Sequence, residues 1–157
     1  MRIRKINARE ILDSRGKPTI EVDVTVQKEE QIAIGRFSVP SGASIGDREI
    51  KEKRDQQSDR YNGFTVQSSV NKLNDSFFIK HFDCEKMEQE LLDKLLINLY
   101  NQHEVGGNAI IGISFAFAKG VAKLLKIPLF LYIRTLLSDD FKKKENSSSF
   151  PIPMFNM

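Results

Sequence analysis

The fold is decided by the stretch Thr19-Ile20-Glu21-Val22-Asp23-Val24-Thr25-Val26, in which apolar residues alternate with polar ones. Successive side chains of a β-strand point to opposite faces, so a period of two places all the apolar residues on one face. The stretch therefore predicts a strand with one buried face and one face in water.

Two more strands are predicted, one on each side of this stretch. Before it, residues 3–12 have a less regular strand pattern, and residues 13–18 supply a turn, because Gly16 tolerates positive φ and Pro18 has a fixed φ. After it, the polar residues 28–31 form a second turn. The apolar run Ile32–Val39 then ends at a proline, which cannot donate a hydrogen bond to a sheet. The pattern predicts a three-stranded antiparallel β-meander.

The remaining pattern is helical, so the predicted fold class is α+β, a β-meander followed by a helical group. Apolar residues recur at helical spacing over residues 85–99, and they lie almost all round the stretch 108–125. A last helix is predicted over residues 128–137, because a proline suits the first turn of a helix. The charged stretch 48–55 and the segment 66–82 are also predicted to be helical.

The composition changes near residue 137. Residues 138–149 are polar and include a run of lysines and a run of serines, whereas residues 150–155 are apolar and interrupted by prolines. Such a polar stretch is typical of a linker. We therefore predict one domain over residues 1–137, followed by a linker and an unfinished apolar tail over residues 138–157.

Composition argues against several classes of partner and location. The formal net charge is only +3, from 24 basic and 21 acidic residues spread along the chain, which argues against nucleic acid as a partner. The longest apolar stretch, Asn108–Leu125, is short for a bilayer, where about 20 apolar residues are needed, so no membrane contact is expected. The single cysteine excludes an intramolecular disulfide, and the N-terminus lacks the apolar core of a signal peptide. The expected location is the cytoplasm.

Several segments, in the same order along the chain, are similar to enolases. They are Arg9-Glu10-Ile11-Leu12-Asp13-Ser14-Arg15-Gly16-Lys17-Pro18-Thr19, then Val39-Pro40-Ser41-Gly42-Ala43-Ser44-Ile45-Gly46, then Gly107-Asn108-Ala109-Ile110. Shorter matches are Arg48-Glu49, Arg54-Asp55, Pro128-Leu129 and Pro151-Ile152-Pro153-Met154-Phe155-Asn156. Across its whole length the chain resembles the N-terminal domain of the enolase family.

The resemblance implies a fold and a reaction. Enolases, or phosphopyruvate hydratases, are magnesium-dependent carbon–oxygen lyases of glycolysis that dehydrate 2-phosphoglycerate to phosphoenolpyruvate. Their N-terminal domain packs a three-stranded meander against helices, and a barrel domain follows, so residues 138–157 are expected to be the linker and the start of that barrel. The barrel carries the lysine base, the acid carboxylates and the three carboxylates that hold the first magnesium, so no catalytic residue is expected in this chain.

The one site that the resemblance assigns to this chain is a loop. In the family, the loop matching Ser41, Gly42, Ala43 and Ser44 closes over the substrate, and the serine matching Ser44 binds the second Mg²⁺. Glycine and alanine permit such motion, and magnesium prefers hard oxygen ligands. Without the surrounding match, a loop serine such as Ser44 would most often make only a local turn bond.

Asp13 and Arg15 have two interpretations. They are suited to a turn stabilised by a surface ion pair, and in the family this region lies toward the partner subunit. The sequence leaves turn formation and use in a subunit interface both open.

Two functional hypotheses follow from the resemblance. In the first, the chain is the N-terminal part of an enolase and is inactive without the barrel domain. In the second, the chain is a standalone interaction module that packs on a full-length enolase or another partner and catalyses nothing.

Overall fold

A computed structural model describes residues 1–42, 46, 50–56 and 59–137. The described residues form three strands, β1 (Arg2–Leu12), β2 (Pro18–Lys28) and β3 (Gln31–Ser38), and four α-helices, α1 (Gln67–Asn74), α2 (Gln89–Asn101), α3 (Gly107–Leu124) and α4 (Leu129–Leu136). Short 3-10 turns lie at Arg60–Gly63 and Phe78–Phe82. The predicted α+β class, a three-stranded meander followed by a helical group, is confirmed. The predicted linker and tail over residues 138–157 lie outside the described residues.

The sheet has the predicted antiparallel order β1-β2-β3. Register pairs run from Leu12 opposite Pro18 to Arg2 opposite Gln27 in the first hairpin, and from Lys28 opposite Gln31 in the second. The apolar residues of β2 are 0% exposed, as the alternation predicts: Ile20, Val22, Val24 and Val26. The half-buried strand therefore forms the centre of the sheet.

The other face of the sheet is polar, and ion pairs between side chains link its strands. Arg9 of β1 bonds Glu21 and Asp23 of β2, and Arg36 of β3 donates to Asp23 Oδ1 at 2.6 Å. Hydrogen bonds, first from Arg36 and then from Arg9, hold the pKa of Asp23 below its usual value. The polar half of the alternation thus becomes a charged network across all three strands.

The prediction of a helix over residues 48–55 is wrong for the part that the structure describes. Residues 50–56 contain no helix, because their backbone groups bond to distant residues instead. Lys51 O accepts from Gly107 N at 2.9 Å, and Asp55 N donates to Thr65 O at 2.9 Å. A helix would require those same groups for its own ladder.

The other helical predictions are confirmed with changes at their ends. The segment 66–82 is two elements, α1 and a 3-10 turn, because Asp75 has extended backbone dihedrals after α1. The helix predicted from residue 85 begins at Gln89, and Met87 N instead donates to Met1 O at 2.6 Å. The bounds of α3 and α4 agree with prediction within a residue.

The central helix α3 approaches the sheet unusually closely. Small residues, Gly112, Ala116 and Gly120, recur every four positions and face β2 and β3. A Cβ atom at Gly112 would lie 2.7 Å from Val22 Cγ2, and one at Gly120 would lie 3.2 Å from Gly35 N. The missing side chains therefore let α3 pack against the strand backbones.

Of the helices described, none is long and apolar enough to cross a membrane.

Candidate functional site around the segment after β3

The segment after β3 begins at Val39 and ends where the returning chain starts at residue 50. Hydrogen bonds to the first hairpin hold its first residue. Val39 N donates to Ile20 O at 2.8 Å, which extends the ladder by one residue beyond β3. The buried hydroxyl of Thr19 donates to Val39 O at 2.7 Å. Both backbone groups of Val39 are thus bonded, and the chain departs from the sheet only after this residue.

Asp13 and Arg15 form the first turn and also reach this segment. Asp13 Oδ1 accepts from the amides of Arg15 and Lys17, each at 2.8 Å, and Arg15 Nη2 lies 3.3 Å from Asp13 Oδ2. These bonds, the Lys17 amide first, hold the pKa of Asp13 below its usual value. The guanidinium of Arg15 also donates to Ser41 O and, at 3.4 Å, to Gly42 O. The turn with an ion pair is confirmed, and use of this pair in a subunit interface stays a prediction.

Arg54 joins three segments at the same place. Its Nη1 donates to Pro18 O at 2.9 Å and to Phe64 O at 2.6 Å. Its Nη2 donates to Ser41 Oγ at 3.1 Å and to Glu52 Oε2 at 2.6 Å, and its Nε also donates to that oxygen at 2.9 Å. The side chain is only 15% exposed. The first turn, the start of the segment after β3 and the stretch before α1 are therefore held by one guanidinium.

The returning chain, residues 50–56, is held by the start of α3 and the end of α2. The side chain of Asn108, 2% exposed, accepts from Lys53 N and donates to Lys53 O, both at 3.3 Å. Lys51 N donates to the hydroxyl of Tyr100 at 3.2 Å. A Cβ atom at Gly107 would lie 3.1 Å from the carbonyl oxygen of Ile50. The match at residues 107–110 thus has a physical role, since a glycine and an asparagine amide contact the backbone of residues 50–56.

Two carboxylates from this region cap α1. Glu10 Oε2 accepts from Val66 N at 2.8 Å and from the hydroxyl of Thr65. Burial raises the pKa of Glu10, but these hydrogen bonds and the charge of Arg60 outweigh it and hold the pKa below its usual value. Asp55 likewise accepts from Ser68 N at 3.1 Å. The amide of Val66, just before α1, and the amide of Ser68, in its first turn, are therefore bonded by side chains that are distant in sequence.

The predicted loop residues are only partly within the described chain. Ser41 and Gly42 lie at the junction of β3, the first turn and Arg54. Ala43 and Ser44 lie outside the described residues, as does the predicted contact of Ser44 with magnesium.

The described residues do not fit a resident magnesium by themselves. Over the ranges that the structure describes, there is no group of three or more His, Cys, Asp and Glu side chains that could hold a metal ion. Two described carboxylates that bond the arginines contacting Ser41 are already engaged, since Glu52 bonds Arg54 and Asp13 bonds the amides of its own turn.

The comparisons with known proteins agree with this architecture. The sequence model of the enolase N-terminal domain matches residues 3–133, which include all three strands except the first residue of β1, and most of the helical group. The chain belongs to the enolase family. It is similar to Enolase 2 of Pseudomonas syringae pv. syringae (strain B728a) and to Enolase 2 of Pseudomonas syringae pv. tomato (strain ATCC BAA-871 / DC3000), each 42% identical over 158 residues. The alignment covers 99% of this chain and 34% of each relative.

The enolase chain described here therefore spans about a third of the length of those relatives. The structure adds roles that the sequence did not assign within this enolase domain. Arg54 and Asn108 are both in segments that match the family, but nothing in their local sequence indicates which backbones they bond. Most of their partners lie in other segments of the chain and meet them only in the folded domain.

Proposed function

We propose that this chain is the N-terminal domain of a magnesium-dependent enolase, which dehydrates 2-phosphoglycerate to phosphoenolpyruvate. In this proposal the domain contributes the loop of Ser41, Gly42, Ala43 and Ser44, and a barrel domain contributes the base and the carboxylates. Without that barrel the chain is inactive. The single cysteine and the family favour the cytoplasm as the location.

The observation that carries the proposal is that hydrogen bonds hold both ends of the segment after β3. At one end, Arg15, Thr19 and Arg54 bond the backbone or side chains of residues 39–42, and at the other end Asn108 bonds Lys53. A domain that secures the two ends of a loop but offers no metal cluster among its described residues is suited to presenting one group to a site built elsewhere.

Magnesium enters the proposal only together with the barrel domain. Magnesium takes about six oxygen ligands in octahedral geometry, and it uses substrate oxygens and waters for several of them, so one serine hydroxyl is a sufficient contribution from this domain. When bound, the ion neutralises negative charge on the substrate. The role of this chain is to hold the Ser44 segment at its two ends.

The test is formation of phosphoenolpyruvate from 2-phosphoglycerate in the presence of Mg²⁺. We expect no product from the chain alone and recovery when the barrel domain of one of the Pseudomonas syringae relatives is joined after residue 157. In that joined protein, Ser44→Ala should lower activity by at least about tenfold, which corresponds to about 1.4 kcal/mol in the transition state. Ser76→Ala, at an exposed turn residue, is the control and should leave activity unchanged. Turnover by the chain alone would contradict the proposal.

The exposed apolar residues of α4 favour the second hypothesis, an interaction module. Phe130 is 65% exposed, Ile133 and Leu136 are 40% and 47% exposed, and Leu137, just after the helix, is 43% exposed, although the helix is apolar on nearly every side. Such a helix normally has a partner on more than one face. Stable binding of the chain to an intact enolase, together with an inactive joined protein, would favour this module over the catalytic proposal.

A further inference from the structure

We propose that Arg54 is a positioning residue, which sets where the segment after β3 leaves the sheet, and that it binds no substrate or other anion. This inference deepens the proposed function and rests on it for its catalytic consequence. The positioning role itself rests only on residues that the structure describes.

Every donor of Arg54 already has an acceptor. A guanidinium has five N–H groups, one on Nε and two on each Nη, and no acceptor. Nη1 donates to Pro18 O and Phe64 O, Nη2 donates to Ser41 Oγ and Glu52 Oε2, and Nε donates to Glu52 Oε2. No N–H remains for a phosphate or carboxylate of a ligand, so a ligand could bind Arg54 only by breaking bonds that hold the protein together.

The charge of Arg54 is also matched within the domain. Glu52 Oε2 accepts two of its hydrogen bonds, and the two side chains are 15% and 31% exposed. Such a two-pronged contact with a carboxylate is stronger than a neutral hydrogen bond, and it holds the plane of the guanidinium. The remaining three donors are thereby aimed at Pro18, Phe64 and Ser41.

This geometry requires arginine. A lysine has three donors on one rotating nitrogen, so it cannot reach two backbone carbonyls, a hydroxyl and a carboxylate in fixed directions at once. Arg54→Lys therefore keeps the positive charge but removes the positioning. A role that needed only charge would survive this substitution.

The structural test measures amide hydrogen exchange in the chain. The reporter is the amide of Val39, which bonds Ile20 O two residues before Ser41, and the reference is Val24 in the centre of the sheet. Arg54→Lys should raise exchange at Val39 relative to Val24 by about tenfold, because local opening then no longer breaks the Arg54 bonds. Ser41→Ala, which removes a single acceptor, should raise it by a smaller factor.

The matched control is Arg36→Lys. Arg36 also donates two hydrogen bonds to a carboxylate, that of Asp23, and among the described residues its bonds go to β2 and not to residues 39–42. Arg36→Lys should leave the ratio of the Val39 exchange rate to the Val24 exchange rate at the wild-type value. An unchanged ratio in Arg54→Lys would overturn the proposal.

The catalytic test uses the protein joined to the barrel domain. Arg54→Lys should lower kcat and raise the Mg²⁺ concentration needed for half-maximal activity, with little change in KM for 2-phosphoglycerate. A raised KM with unchanged Mg²⁺ dependence would mean that Arg54 touches the substrate, and this would overturn the proposal. An inactive joined protein with Arg54 intact would instead count against the proposed function, and hydrogen exchange would still decide the positioning role.

Discussion

Gly35→Ala probes the contact on which the fold depends, because β3 and α3 meet there backbone to backbone. A Cβ atom at Gly35 would lie 2.9 Å from Gly120 Cα and closer still to Ala116 O and Gly120 N. Favourable carbon–carbon contacts begin at about 3.5 Å, so even the farthest of these atoms must move by about 0.6 Å. None of them belongs to a side chain that can rotate away.

The cost follows from what α3 contributes to the core. Ile113, Phe117 and Val121 of this helix are at most 2% exposed, and any shift of α3 away from the sheet loosens all three. Extra methyl groups in a packed core cost about 1–3 kcal/mol. Because the obstruction here is backbone, we expect a loss at the upper end, about 3 kcal/mol, out of a total stability of about 5–15 kcal/mol.

The measurement is urea unfolding of the chain followed by circular dichroism. Gly46→Ala is the matched control, since its Cβ would meet nothing within 4 Å, and its unfolding free energy should change by no more than about 0.5 kcal/mol. The loss of unfolding free energy in Gly120→Ala should lie between those of Gly35→Ala and Gly46→Ala. Its Cβ would lie 2.9 Å from a methyl group of Val26 and 3.2 Å from a backbone nitrogen. A Gly35→Ala chain as stable as the Gly46→Ala chain would refute the close approach.

Three further predictions concern single side chains. Burial, followed by the charges of Asp93 and Glu88, raises the pKa of Tyr132 from 10.0 to about 12, so its contribution to stability is complete below pH 10 and is lost as the pH rises toward 12. Tyr132→Phe should remove the part of the stability loss between pH 10 and 12 that comes from this residue, up to about 3 kcal/mol, as measured by unfolding at several pH values. Asn108→Ala should cost about 2 kcal/mol in urea unfolding, because both backbone groups of Lys53 lose their partner. Glu10 has a lowered pKa, so its contribution is present above pH 4.5 and is lost as the pH falls through the folded-state value. Glu10→Gln should therefore make acid unfolding less steep, and an unchanged slope would contradict this account.

Much of the fold could be predicted from the sequence, because the signals were local. The alternation in β2, the turn chemistry of residues 13–18 and the apolar surface of α3 are all properties of neighbouring residues. The prediction failed over residues 50–55, the described part of the stretch predicted to be helical, and over the start of α2. Backbone groups there bond residues far along the chain, such as Gly107 and Met1. Local charge and spacing contain no information about such partners.

The candidate site was accessible to sequence analysis only through the resemblance to a family. That resemblance drew attention to Ser41 and Gly42, but it did not explain how they are held. Three of the four residues that accept from Arg54 lie 36, 13 and 10 residues away, at Pro18, Ser41 and Phe64. No pattern of neighbouring residues could have indicated that these three segments meet.

By itself, the sequence determined the meander, the positions of the long helices and membership of the enolase family. The meander and the helices follow from backbone preferences and hydrophobic periodicity, which act over a few residues, whereas the family follows from the segments that resemble enolases. Only the tertiary structure decided that α3 touches the backbone of β3 at Gly35 and that one partly buried guanidinium, that of Arg54, joins three segments. Close packing and the need to satisfy every buried polar group act between residues that are far apart in the chain, so they take effect only once the fold has formed.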